Sequence, residues 1–162
     1  MGHIMEWSDV VDNPSLQDLP FKIELNKFGK LLMSPASNNR GMLQGALAGA
    51  LWSKHPQGRV ITECSVQTSD GVKVADVAWA SDAFIAEFGY ETPYVQAPEL
   101  CIEIVSPSNS KLEITTKVDL YLAKGAKEVW VVYDNSVMDI FTYKGQVEGS
   151  PMSEGIREQI FR

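Results

Sequence analysis

Apolar and polar residues alternate along this chain in short segments that predict one sheet with helices packed against it. Runs of alternating or continuous apolar residues bounded by turn residues indicate strands, and apolar residues spaced by three or four indicate helices. In chain order, the pattern predicts strands at 21–25 and 31–33, a helix at 39–55, strands at 59–67, 73–79 and 99–106, a helix at 110–124, and strands at 128–133, 138–143 and 156–161. This order predicts an α/β fold (α+β-like) with a mixed central β-sheet flanked by helices.

The beginning of the chain stands outside this pattern. Residues 1–10 are expected to be a disordered leading segment or a cloning remnant, and residues 11–162 to form a single domain. The chain does not open with a basic segment followed by an apolar stretch, and no apolar run approaches the roughly 20 residues of a membrane-spanning helix. The expected location is therefore cytoplasmic, with no membrane partner.

Composition and charge narrow the function classes. The 162 residues carry a formal net charge of −7, and 44% of them are hydrophobic. An acidic chain argues against binding of nucleic acid by bulk electrostatics, although metal and a few lysines can neutralise a phosphate locally. Cys64 and Cys101 belong to no CxxC pattern, and His55 is the one histidine outside the leading segment, so zinc sites and histidine-dependent triads do not fit.

Two acidic residues interrupt apolar strand patterns. Glu103 lies in the middle of the run ELCIEIVS, and Asp76 lies inside VADVAWA. A buried carboxylate is costly unless it is paired or binds a metal. The competing interpretation for Glu103 is a structural ion pair or an uncharged buried acid, and for Asp76 it is a strand-end residue that caps a turn. Together the two acids favour a site for Mg²⁺ or Mn²⁺, because carboxylate oxygens are the ligands these ions prefer.

A lysine on the helix after the strand of Glu103 is the third candidate. Glu113, Lys117 and Tyr121 are spaced by four residues and form one stripe of the predicted helix. A solvated Glu–Lys pair is one interpretation. The other is a lysine that reaches a scissile phosphate or an attacking water, since the helix starts near the C-terminal end of that strand.

Three further polar residues, with Tyr121, are second-tier candidates. Glu63 lies on the strand before Asp76 and is a candidate outer metal ligand, with an exposed strand position as the alternative. Arg40 and Gln44 lie near the start of the first long helix, where they are candidates to contact a phosphate, with surface solvation as the alternative.

Three segments together resemble a known family. GVKVADVAW, APELCIEIVSPSNS and KVDLYLAKGAKEVWVV are similar to the Uma-two (Uma2) family of restriction endonuclease-like proteins, within the PD-(D/E)xK nuclease superfamily. The earlier segment LLMSPASNNRGMLQGALAGAL resembles the family's Ser-Pro turn and first helix, so the likeness covers about residues 20–145. The matching motif positions are Asp76, Pro98, Leu100, Glu103, Ser106, Pro107, Ser108, Lys117, Tyr121, Gly125, Glu128 and Trp130.

The resemblance implies a restriction-endonuclease-like domain that hydrolyses DNA phosphodiesters with Mg²⁺ (or Mn²⁺). It implies that Asp76, Glu103 and the backbone carbonyl of Ile104 bind the metal, which activates a water. It also implies that Asp76, Glu103 and Lys117 are the catalytic residues, with Lys117 as an electrostatic or water-orienting group.

The chain departs from the family pattern in three places. Ala75 stands where the superfamily usually has proline, and Val105 stands where it usually has a lysine, so Lys117 must supply that charge from the helix. Arg40 occupies the neighbourhood of a histidine with which the first helix often begins.

Two other functions are alternatives to a DNA endonuclease: a noncatalytic binding module on the nuclease fold and a metal-dependent hydrolase of another phosphoester. A homodimer is also expected, as for many restriction-type nucleases.

Overall fold

The computed structural model describes residues 3–162, and in these residues a layer of strands lies between two layers of helices. The strands are β1 (Phe21–Leu25), β2 (Leu31–Pro35), β3 (Gly58–Thr68), β4 (Gly71–Ser81), β5 (Leu100–Ile104), β6 (Glu128–Val132), β7 (Met138–Thr142) and β8 (Gly145–Val147). The helices are α1 (Trp7–Val11), α2 (Asn38–Lys54), α3 (Asp82–Phe88), α4 (Lys111–Ala123) and α5 (Ile156–Ile160), with a 3₁₀ turn at Pro14–Leu16.

The eight strands of residues 3–162 form one mixed sheet. Its order is β2-β1-β4-β5-β6-β7-β8, and β3 pairs with β4 outside this path. The pairing of β5 with β6 is parallel, because α4 crosses over between them, and the other pairings are antiparallel. The predicted mixed sheet flanked by helices is therefore confirmed.

The strand β4 has three partners, and this creates a fork in the sheet. β3 pairs with β4 from Gly71 to Ser81, with an interruption at Asp76. A strand has only two edges, so β1 and β5 must share the other one. β1 pairs there at Val72 and β5 pairs at residues 77–79, which leaves residues 73–76 facing the space where β1 and β5 diverge.

Each face of the sheet is covered by its own pair of helices. On one face, α2 and α5 pack on Leu100, Ile102 and Trp130. On the other face, α3 and α4 pack on Cys101 and other small or branched residues. Successive residues of β5 thus enter opposite cores, as the period of two along a strand requires. Glu103 follows this alternation and faces the layer of α3 and α4.

The long helices begin where the capping residues predict. The Ser37 hydroxyl accepts a hydrogen bond from the backbone of Arg40, and the Ser110 hydroxyl accepts one from Glu113. These bonds satisfy amide groups that have no partner within the helix. The cap at Ser110 fixes the first turn of α4 close to the end of β5, which determines where Lys117 lies. No helix in residues 3–162 has the length and apolar character needed to cross a membrane.

Two predicted segments have a different structure, and β8 lies in a segment for which no strand was predicted. The predicted edge strand at 156–161 is instead the helix α5, because Ile156 and Ile160, four residues apart, are both buried against the core that includes α2. Part of the leading segment expected to be disordered forms α1, whose Val10 packs against Leu25 and Val72. Residues 1–2 of that segment lie outside the described residues.

Gly71 allows β1 to approach the turn that starts β4. Its φ is +78°, and a Cβ there would fall on the carbonyl oxygen of Leu25. We expect Gly71→Ala to lower the free energy of unfolding by more than about 1 kcal/mol, because it adds both backbone strain and a clash. Urea unfolding measures this. The control is Gly45→Ala inside α2, where a Cβ meets nothing within 4 Å, and which should stabilise the protein by up to about 1 kcal/mol. Equal effects of the two substitutions would contradict the close approach.

Candidate active site

A cluster of buried charged residues fills the fork between β1 and β5. Lys22 and Glu24 are two residues apart on β1 and therefore point to the same side of the sheet. Asp76 comes from β4 and Glu103 from β5. Lys117 reaches the same place from α4. Four elements that are distant in sequence thus contribute to one polar site within the sheet.

A single ammonium group joins the two predicted metal ligands. The Nζ of Lys22 lies 3.1 Å from Oδ1 of Asp76 and 3.1 Å from Oε2 of Glu103. The three side chains are 5%, 2% and 3% exposed, respectively. Charges this deeply buried require close partners, because the attraction between them must offset the loss of hydration. The ion pair that the sequence left open as an alternative is therefore present.

The remaining polar atoms of Asp76 are held by main-chain and amide groups. The backbone amide of Ile104 donates to Oδ2 of Asp76 at 2.7 Å. The side-chain amide of Gln44, on α2, donates to the carbonyl oxygen of Asp76 at 2.8 Å. Gln44 therefore fixes the backbone of β4 at this position rather than facing a ligand at the start of the helix.

The second oxygen of Glu103 faces α4. The Tyr121 hydroxyl donates to Oε1 at 2.7 Å, and Nζ of Lys117 lies 3.3 Å from the same atom. Lys117 also contacts Oε2 of Glu24 at 2.8 Å, and that oxygen accepts a 2.6 Å hydrogen bond from the backbone of Val74. Glu24 thus satisfies an amide of β4 in the fork and ties the lysine of α4 to β1.

The two acids respond to this environment in opposite directions. Burial raises the pKa of Asp76 and the neighbouring charge of Glu103 raises it further, while Lys22 and the amide of Ile104 offset these effects only in part. Burial alone would also raise the pKa of Glu103, but Lys117, Lys22 and the Tyr121 hydroxyl outweigh it and lower the pKa to about 2. Glu103 is therefore the firmly ionised member of the pair.

The buried lysine is held in its charged form. Burial alone would lower the pKa of Lys22, but the carboxylates of Glu103, Asp76 and Glu24 outweigh burial and raise it above its usual value. The cluster therefore keeps a permanent positive charge between the two acids.

The candidates from the sequence divide into those that meet and those that do not. Asp76, Glu103, Lys117 and Tyr121 come together, and Gln44 touches the backbone beside them. Arg40 lines the groove that opens onto this cluster. Glu63 is exposed, has a φ of +54°, and lines a different cavity with Tyr90 and Tyr94.

Lys22 and Glu24 also belong to the site, although their pattern in the sequence does not predict it. In FKIEL they form the polar half of an alternating strand, which is the ordinary pattern of a surface hairpin. In the fold this polar half is buried and the intervening Ile23 is only partly covered. The alternation of charged and apolar residues is the feature that could have indicated their role. It looks the same, however, whether the polar face of the strand meets water or other charged residues.

The residues present fit a magnesium-type ion. Two carboxylates converge on one position that a cationic group holds, and Mg²⁺ is commonly bound by one or two carboxylates together with waters and substrate phosphate. In residues 3–162 no group of three or more acidic, histidine or cysteine side chains is arranged to hold a metal ion. The protein would therefore supply Asp76 and Glu103, and a main-chain oxygen, water or substrate would complete the coordination.

A groove of about 540 Å³ opens beside the cluster. Its charged lining is balanced, in contrast to the net charge of −7 of the whole chain. The basic lining residues are Lys22, Arg40, Lys73 and Lys117, and the acidic ones are Glu24, Asp70, Glu103 and Glu113. Four basic side chains therefore border the groove, and groups of this kind bind phosphates.

Comparisons with known proteins identify the fold and the family of this chain. One solved structure with a similar fold is a putative nuclease belonging to DUF820 from Anabaena variabilis, with a TM-score of 0.61 and 19% identity over 74% of this chain and 71% of that one. The model of the Uma2 family, described as a putative restriction endonuclease family, matches residues 14–155, and the chain belongs to this family. No curated protein matches the sequence. The predicted family and fold are therefore confirmed.

The opposite pKa shifts predict opposite pH dependence for two variants. Because the pKa of Glu103 is about 2 in the folded protein and 4.5 in the free side chain, its stabilising effect is complete above pH 4.5 and disappears as the pH falls toward 2. Glu103→Gln should therefore cost about 3 kcal/mol at neutral pH. The difference in the free energy of unfolding between Glu103→Gln and the parent should become smaller in acid.

Asp76→Asn provides the comparison. The pKa of Asp76 is raised, so its charge costs stability above that pKa, and protonation of the parent in acid removes the cost. The stability difference between parent and Asp76→Asn should therefore change with the opposite slope. Urea unfolding at a series of pH values measures both slopes. Parallel slopes would contradict the assignment of Glu103 as the ionised member.

Proposed function

We propose that this protein is a magnesium-dependent endonuclease that hydrolyses DNA phosphodiesters with an activated water. The observation that carries the proposal is the convergence of two buried carboxylates, Asp76 and Glu103, on one cationic position beside a groove with basic residues. Membership of a family described as putative restriction endonucleases supports the reaction class. Restriction endonuclease-like families generally use divalent metals, and Mg²⁺ (or Mn²⁺) suits these ligands.

In this proposal Asp76, Glu103 and the carbonyl of Ile104 hold the ion. Such an ion, when bound, supplies a Lewis acid that acidifies water and offsets negative charge on the phosphate. The rest is done by the chain's own groups. Tyr121 orients Glu103 through its 2.7 Å hydrogen bond and is a positioning residue. Gln44 has the same kind of role at the backbone of Asp76.

Lys117 is the group best able to act on the substrate. Its ammonium bridges Glu24 and Glu103, and its side chain is 16% exposed at the groove, against 5% for Lys22. A fixed positive charge beside a reacting phosphate stabilises the transition state without reorganisation. Arg40, at the start of α2, lines the same groove, and this supports the proposal that it contacts a neighbouring phosphate.

A noncatalytic binding module is the second candidate function. The observation that favours it is that Lys22 satisfies both acids, so that the charges have partners without a metal.

The expected homodimer and the cytoplasmic location stay predictions. Sedimentation of the purified protein tests whether it is a dimer.

Metal binding and cleavage together test the proposal. The parent should bind Mn²⁺ in a calorimetric titration and nick plasmid DNA only when the metal is present. Asp76→Asn should lose both properties, because it removes one of the two carboxylates that hold the ion. Glu87→Gln, which neutralises an exposed acid on α3, is the matched control and should behave like the parent.

Each outcome selects one function. Metal-dependent nicking that disappears in Asp76→Asn supports the endonuclease. Metal binding with turnover only of RNA or a nucleotide phosphoester identifies the other hydrolase. A folded parent that binds no metal and cuts nothing overturns the enzymatic proposal in favour of the noncatalytic module.

A lysine substitution separates binding from turnover. Lys117→Met should bind Mn²⁺ at least as tightly as the parent, since both carboxylates remain, but should cleave about 100-fold more slowly or worse. Lys111→Met, on an exposed position of the same helix, is the control for the loss of one positive charge. Cleavage rates at saturating metal measure the effect, and an unchanged rate in Lys117→Met would remove it from the catalytic residues.

A further inference from the structure

Lys22 holds the position between the carboxylates that a divalent ion would take. Its Nζ is equally close, at 3.1 Å, to one oxygen of Asp76 and one oxygen of Glu103. These are the same two side chains that the proposed metal requires. An ammonium group and a divalent ion on the same two carboxylate oxygens repel each other, and this repulsion is strong where water is excluded. The ammonium and the metal must therefore compete.

Charge balance favours an exchange over simple addition. The connected side chains are three carboxylates (Glu24, Asp76 and Glu103) and two ammonium groups (Lys22 and Lys117). With all five ionised, the cluster carries one net negative charge. If a divalent ion were added while the ammonium of Lys22 stayed in place, the cluster would carry one net positive charge. If the ion replaces that ammonium, the cluster is neutral. A buried neutral cluster is the less costly of the two.

The fold leaves room for this exchange. Lys22 is buried against the acids but is also one of the residues that line the groove, so the groove gives its ammonium a direction in which to move. A lysine ammonium is a point charge on a flexible four-carbon stem and can move without a change in the backbone. The acids have firmer supports that do not involve Lys22, namely the amide of Ile104 for Asp76 and the Tyr121 hydroxyl for Glu103.

We propose that Lys22 is an exchangeable internal counter-ion of this site. It holds Asp76 and Glu103 in place in the metal-free protein, and a divalent cation displaces its ammonium toward the groove. This inference rests on the proposed metal site. In this inference the ammonium of Lys22 competes with the metal and so sets the metal affinity. When displaced, it turns toward the groove, the side from which a phosphate substrate enters.

Replacement of Lys22 by a neutral side chain of similar length tests the exchange. Lys22→Met should melt at a lower temperature than the parent in the presence of EDTA, because two buried acids lose their shared partner. It should also bind Mn²⁺ more tightly, by about tenfold or more, since no ammonium has to be displaced. The rise in melting temperature on addition of Mn²⁺ should be larger than in the parent. Calorimetry and thermal melts measure these effects without any cleavage assay.

Lys73→Met is the matched control. Lys73 is also a buried lysine that lines the groove, but its partner is Asp70, at 3.4 Å, and not the two metal-binding acids. Its removal should change the Mn²⁺ affinity much less than removal of Lys22. Equal gains in affinity in the two variants would show a general charge effect and overturn the exchange.

A second variant and a structure keep the inference testable if Lys22→Met does not fold. Lys22→Arg retains a cation that can contact both carboxylates, with a planar, firmly charged group, and should bind Mn²⁺ more weakly than the parent. In a crystal soaked with Mn²⁺, Nζ of Lys22 in the parent should lie beyond hydrogen-bond distance of Asp76 and Glu103. Manganese bound elsewhere, with Lys22 still on both acids, would overturn the exchange.

The outcomes separate this inference from the proposed function. If Asp76→Asn abolishes Mn²⁺ binding while Lys22→Met retains the parental affinity, the metal site stands and the counter-ion role is wrong. If only Lys22→Met binds Mn²⁺, the competition is supported, and the parent is not a metal-dependent enzyme under those conditions. If neither protein binds Mn²⁺, both proposals are overturned.

Discussion

The need to neutralise two buried acids is the constraint on which the rest of this structure depends. Asp76 and Glu103 lie on adjacent strands with almost no exposure to solvent, and Lys22 is the cation that both contact. Like charges at this depth would otherwise force one acid to stay protonated. The positions of β1 and α4 are therefore tied to the chemistry of the sheet interior, since they bring the two lysines that make the acids tolerable.

The fork in the sheet is what makes such a cluster possible. A continuous ladder along β4 would place backbone partners, with their side chains, where the charged groups now meet. Because β1 and β5 share one edge of β4 and then diverge, residues 73–76 face a gap instead. Side chains complete the missing bonds, as the carboxylate of Glu24 does for the amide of Val74. The same gap opens toward the groove. The divergence of β1 and β5 therefore puts the charged cluster next to the groove.

Positive charge in this acidic protein is used locally. The chain departs from the superfamily pattern at Val105, where a lysine would usually stand, and the described structure brings Lys117 from α4 and Lys22 from β1 to the same acids. The two lysines differ in exposure and partners, and this difference supports different roles for them. Lys117 is the more exposed of the two at the groove, in keeping with the proposed action on a substrate, while Lys22 lies between the acids, in keeping with the proposed competition with a metal.

The sequence by itself determined the order of the seven longer strands and the two long helices, the mixed sheet and the two acids, because periodicity and an acid within an apolar strand are visible in one segment alone. It also determined the start of α4 at Ser110, and with it the reach of Lys117. Only the tertiary structure decided that Lys22 belongs to the site. The alternation in FKIEL is the same for a surface hairpin and for a strand whose polar face is buried, and the difference lies in where β1 meets β4. The helix α5 was decided in the same way, since its five residues are too few to show a period and their burial against the core beside α2 selects the conformation.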